Sequence, residues 1–185
     1  MATTPYDQAI SSTRAVLAAI DPDQLAGATP CASWCVSDIV NHVVGGQYLF
    51  GGLMRGEGMP DAAPDFAAGD FLASFDEGAA QAVAAFQADG AMDRIITMPF
   101  EMPGSRFVYL AATDTFVHGW DLAKATGQST DLAPELAAQL LDGVRRSVGG
   151  ELRGTDGNAP FGPEQQAPEG ATTADQLAAF LGRTA

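Results

Sequence analysis

The sequence predicts an all-α fold, an antiparallel four-helix bundle with a short β-hairpin before the fourth helix and extra helices at the C-terminal end. Three observations predict it. Apolar residues recur at helical spacing in six separate segments. The connections between most of them are short and carry Gly, Pro or Asp, as between antiparallel neighbours. Only Asp93 to Phe100, with Ile95, Ile96 and Thr97, reads as extended. No internal repeat is visible, and 185 residues suit one domain with a sizeable core, so residues 1–185 are assigned to a single helical domain.

In chain order, Thr4-Pro5 supplies a hydroxyl cap and a proline suited to the first helical turn, with Asp7 near the positive end of the dipole. Tyr6, Ile10, Thr13, Leu17 and Ile20 follow at helical spacing until Asp21-Pro22 stops the helix. A second helix is expected from about Cys35 to Leu53, apolar on nearly every side and therefore buried on several. Gly45-Gly46 in its middle costs stability, which points to close approach of a neighbouring helix or ligand, or to tolerance in a well-packed core. Gly56 to Gly69 is a loop by composition. Asp70 then caps a third helix carrying Phe71, Phe75, Ala82 and Phe86, ended by Gly90. Pro103-Gly104 turns the chain, and Ser105 caps a fourth helix running to Thr126 with Gly127 as its stop. A fifth begins near Pro134, with Leu136, Leu140, Val144 and Val148 in register. Residues 151–170 should be irregular, and Thr172 or Thr173 caps a last short helix ending at Gly182.

Nine Lys and Arg against 23 Asp and Glu leave a net charge of −14, which repels phosphates and anionic headgroups. Nucleic acid and membrane surfaces are therefore not expected partners. The uncharged run Ile39–Met54 is too short and polar to span a bilayer, and the N-terminus lacks a secretion pattern. Two cysteines cannot build a disulfide framework. A cytoplasmic protein is expected, with Cys31 and Cys35 as unbridged structural thiols.

The chain has only two histidines. On a helix turning about 100° per residue, Asp114, His118 and Asp121 span only about 60° of the circumference. The same face holds Phe107 and Leu110, expected in the core. Carboxylates beside such residues need their charge compensated. A divalent cation held by a carboxylate and an imidazole at i, i+4 is one compensation, and His42 is the only other histidine that can complete the set. The alternative is a core histidine satisfied by backbone or hydroxyl groups, with Asp114–His118 a surface pair worth a few tenths of a kcal/mol. Trp120 reads as core. Asp121 reads either as an exposed helix carboxylate or as an acceptor for an imidazole N–H.

Thr29-Pro30-Cys31-Ala32-Ser33-Trp34-Cys35-Val36-Ser37-Asp38 with Asn41-His42, and Val117-His118-Gly119-Trp120-Asp121-Leu122-Ala123, together resemble two helix signatures of the mycothiol-dependent maleylpyruvate isomerase-like proteins. These belong to the DinB/YfiT-like metal-binding superfamily. Phe161-Gly162-Pro163 and the Phe-Leu-Gly-Arg close at Arg183 are similar to a branch of that group. The resemblance implies a DinB-like bundle and a divalent metal, usually zinc, held by His42, Asp114 and His118. It also implies mycothiol as thiol cosubstrate. Asp114 stands where the isomerase has glutamate, and Cys35 where the family more often has a threonine-like cap. No counterpart of the isomerase's extra C-terminal domain is expected.

No P-loop, dinucleotide fingerprint or Gly-x-Ser-x-Gly elbow is present. The function expected is that of a metal-dependent enzyme using a low-molecular-weight thiol on a small electrophile, of isomerase or S-transferase type. The competing expectation is a non-catalytic bundle binding a metal or small ligand. The partners are then a small-molecule thiol and an electrophile, with a second copy of the chain as the oligomeric partner.

Overall fold

A computed structural model describes residues 5–58, 62, 64–97, 101–155 and 158–185. Six α-helices and one two-stranded antiparallel hairpin appear among them: α1 (Pro5–Leu17), α2 (Val36–Arg55), α3 (Phe71–Phe86), β1 (Ile95–Thr97), β2 (Glu101–Pro103), α4 (Gly104–Ala125), α5 (Pro134–Ser147) and α6 (Thr173–Phe180). In the four-helix body α1 lies along α4 and α2 along α3, while α2 also meets α4; α5 and α6 pack on each other beside it. The fold is all-α, as the periodicity predicts. No helix of the described residues is long and apolar enough to cross a membrane.

Local chemistry sets the helix ends. Asp38 accepts from the Cys35 backbone N–H at 2.9 Å at the start of α2, and Asp70 accepts from the Ala73 N–H at 3.0 Å at the start of α3. At α6, Thr172 and Asp175 bond reciprocally as a capping box. Several boundaries differ from expectation: α1 ends at Leu17, short of Ile20, and α2 continues past Leu53 to Arg55. Ser105 lies inside the first turn of α4 rather than at its cap, because Gly104 is already helical. α3 ends at Phe86, and Gly90, in left-handed geometry, instead precedes a 3-10 turn over Ala91–Asp93. Residues 150–152 also form a 3-10 turn within the stretch expected to be irregular. The Thr4 cap and the Met98–Phe100 part of the extended segment lie outside the described residues.

The core centres on aromatic edges: Tyr6 meets Phe86 and Phe50, and Phe107 meets both phenylalanines, with centroids 5.1–6.4 Å apart. A buried polar chain runs through it. The Tyr6 hydroxyl donates to Gln47 Oε1 at 2.6 Å, and Gln47 Nε2 donates to Thr115 Oγ1 and the Val43 carbonyl. Burial beside Asp114 and Asp7 raises the Tyr6 pKa, so it stays a neutral donor. Leu110 is exposed, contrary to expectation, whereas Phe107 is buried. Of the two readings of Gly45-Gly46, tolerance in a well-packed core fits better than close approach, since added Cβ atoms there would make ordinary contacts. At Gly119 a Cβ would overlap Thr13 Oγ1, the atom that donates to the Thr115 carbonyl at 2.8 Å and ties α1 to α4.

Candidate metal centre

His42 sits in the second turn of α2, and Asp114, His118 and Asp121 sit on one face of α4. Since α2 packs against α4, the structure brings His42, Asp114 and His118 together: one ligand atom from each lies within 4.8 Å of the others. His42 Nε2 is 3.3 Å from Asp114 Oδ2, and His118 Nε2 is 3.7 Å from Asp114 Oδ1. The imidazole centroids are 4.6 Å apart, with the rings near perpendicular. Beside them, the neighbouring residue Asn41 accepts from the Ala67 N–H and donates to Asp65, holding the incoming loop against α2.

The outer edge of the group is open and the inner edge closed. Side-chain exposure falls from 37% at His42 and 28% at Asp114 to 11% at His118 and 0% at Asp121. Trp34 covers one side, with its ring 4.9 Å from His42 and 5.5 Å from His118. It is held by the Thr29 hydroxyl, which donates to the Trp34 carbonyl at 2.8 Å and accepts from the Cys31 N–H.

Asp121 is not an exposed helix carboxylate. Its Oδ2 lies 3.0 Å from His118 Nδ1 and accepts from Arg183 Nη2 at 3.0 Å, while Oδ1 accepts from Arg183 Nε at 3.3 Å. Burial by itself would raise its pKa, but the His118 bond and the Arg183 charge outweigh that and hold it down at about 2. An ionised carboxylate only accepts, so His118 Nδ1 carries a hydrogen, and Nε2 is the nitrogen that faces Asp114. Burial likewise opposes the ionised forms of His42 and Asp114. Their mutual hydrogen bond and charge override it, raising the His42 pKa and lowering that of Asp114. The negative potential that raises the His42 pKa is equally suited to a cation.

The donor set fits a metal. Two imidazole nitrogens and a carboxylate oxygen match zinc's preferences, and tetrahedral donors on bonds of about 2.0–2.1 Å stand roughly 3.4 Å apart, near the separations found. On a tetrahedral ion three protein donors would leave one position open. The Asp121–His118 bond is the outer support such a ligand normally carries.

Arg183 and Trp34 were not legible as site residues. Arg183 reaches Asp121 because Trp120 Nε1 donates to Asp175 Oδ1 at 2.9 Å, docking α6 on α4. Gly182 then turns the chain with φ 97°, and a Cβ added there would fall only 2.6 Å from Gly162 Cα. Cys31, expected to be a small buried structural residue, is part-buried and lies at the site, its thiol 3.4 Å from Asp121 Oδ2. Cys35 caps α2 and donates to Asp38 instead. Neither cysteine is in a disulfide. The only sequence signal for Arg183 was its place in the C-terminal resemblance.

A family model described as the mycothiol maleylpyruvate isomerase N-terminal domain matches residues 6–123. Two Mycobacterium tuberculosis proteins, uncharacterized protein MT0763 of strain CDC 1551 / Oshkosh and uncharacterized protein Rv0738 of strain ATCC 25618 / H37Rv, are each 43% identical over 180 residues, covering 97% of this chain and 96% of the relative. Among solved structures, the mycothiol-dependent maleylpyruvate isomerase superposes with a TM-score of 0.57 at 16% identity, over 74% of this chain and 65% of that enzyme. A histidine-to-alanine mutant of it superposes with a TM-score of 0.58 at 16% identity, over 78% of this chain and 70% of the mutant. At that identity the likeness shows the fold alone, and the chain spans about two thirds of the isomerase's length.

Proposed function

Since the chain belongs to the mycothiol maleylpyruvate isomerase N-terminal domain family, we propose that it is a metal-dependent enzyme of isomerase or S-transferase type. It would use a low-molecular-weight thiol, mycothiol by family, on a small electrophile. His42, Asp114 and His118 would hold a divalent cation, zinc by the donor chemistry. The carrying observation is the convergence of these three donors, with the His118 ring already oriented by the Asp121–Arg183 pair.

Bound there, a divalent cation supplies the positive charge that keeps a thiol ionised at neutral pH, where it is otherwise mostly protonated. The remaining work falls to this chain's residues. Asp121 fixes the His118 tautomer, and Arg183 keeps Asp121 ionised. Trp34 shields both imidazoles from water on one side. Substrates approach over the open edge at His42 and Asp114. The second reading is a non-catalytic bundle that binds a metal or small ligand at the same three donors.

Elemental mass spectrometry of protein purified without added metal should find close to one zinc per chain. Thiol consumption with an activated electrophile should stop with a chelator and return with a divalent ion. A folded His118→Ala protein that keeps wild-type turnover would end the catalytic reading, and tight ligand binding without turnover would establish the second one.

A further inference from the structure

The two nitrogens of His118 face two different donor sets. Nε2 belongs with His42 and Asp114, whereas the other side of the ring joins Cys31 and Asp121, whose ligand atoms lie with it inside 4.8 Å. Asp121 Oδ2 is 3.0 Å from His118 Nδ1 and 3.4 Å from Cys31 Sγ. Donors on a tetrahedral cation with zinc-length bonds to N, O and S stand about 3.3–3.6 Å apart. Two of the three edges therefore need shifts of only a few tenths of an ångström. His118 and Asp121 are buried and Cys31 is part-buried, so the set lies inward of the open edge.

We propose that Cys31, His118 and Asp121 form a second cation site, selective for soft, thiophilic ions, whose positive charge the Arg183 guanidinium otherwise supplies. A thiol with one imidazole and one carboxylate favours soft ions over magnesium or calcium. Arg183 Nη2 stands 3.0 Å from Asp121 Oδ2 and 3.9 Å from Cys31 Sγ, so it occupies the place in the charge balance that a cation would take. An entering cation must displace it, releasing the Cys31 thiol proton to solvent, while in metal-stripped protein the His118 hydrogen passes from Nδ1 to Nε2 so that Nδ1 can ligate. The two donor sets share His118 through opposite ring nitrogens, whereas His42 and Asp114 take no part in this one, so His42→Ala distinguishes its failure from that of the metal reading above.

The probe is cadmium, titrated into metal-stripped full-length protein while the ultraviolet thiolate-to-cadmium charge-transfer band is followed. We expect a saturable band that survives in His42→Ala and Cys35→Ser and vanishes in Cys31→Ser, with Cys31→Ala as a second variant should serine disturb the turn. Arg183→Met should tighten cadmium binding by about tenfold or more, because a like charge next to the ion is gone. No band in the wild type, a band that persists without Cys31, or unchanged or weaker affinity in Arg183→Met would each overturn the proposal. Loss of the band in His42→Ala would make His42 a ligand of the same ion as Cys31 and overturn it as well.

Discussion

Replacing Asp121 by asparagine keeps the shape of the most buried carboxylate at the site and removes its charge. In metal-stripped protein the effect follows from linkage. The folded-state pKa of about 2 lies below the ordinary value of 3.8, so the ionised group stabilises the fold at any pH above the ordinary value. That stabilisation is lost as pH falls through the folded value, and the gap between the two corresponds to about 2 kcal/mol. The asparagine also leaves the mostly buried Arg183 guanidinium without its counter-charge, and stranding one partner of a buried pair costs roughly 3–5 kcal/mol. The expected loss at neutral pH is therefore about 2–5 kcal/mol. Urea unfolding of both proteins at several pH values measures it. The wild-type advantage should be full at neutral pH and shrink steadily below about pH 4. An advantage that is absent at neutral pH, or that stays constant into strong acid, would refute the claim that Asp121 is held ionised by His118 and Arg183.

His118→Ala should abolish metal retention after dialysis, whereas Asp121→Asn should lower metal affinity only about 10- to 100-fold, measured by competition with a chromophoric chelator. Gly119→Ala should destabilise by about 1–3 kcal/mol through overlap with Thr13, measured by denaturant unfolding, and adding Thr13→Ala should recover part of the loss. Trp120→Phe removes the indole bond to Asp175 at a cost of roughly 1–3 kcal/mol, and hydrogen exchange should accelerate selectively across α6 and Arg183.

The helices were legible in the sequence because their signals are local. Apolar spacing, Asp70, Thr172 and Pro134 act within a few residues of the element they define, and each stands where the chain order predicts. The pairing of Asp114 with His118 was legible for the same reason, since one helical turn fixes their common face, and His42 entered as the only other histidine. What encloses that face depends on contacts between distant parts of the chain. Cys31 and Arg183 meet Asp121 across sequence separations of 90 and 62 residues, through a turn before α2 and a tail docked by Trp120. No periodicity records such a meeting. The glycines divide in the same way: Gly45-Gly46 carries the conspicuous local cost, yet a side chain is excluded at Gly119, where a hydroxyl of α1 comes against α4. Backbone preference and face are properties of consecutive residues, whereas which groups neutralise a buried charge is settled only when packing brings their helices together.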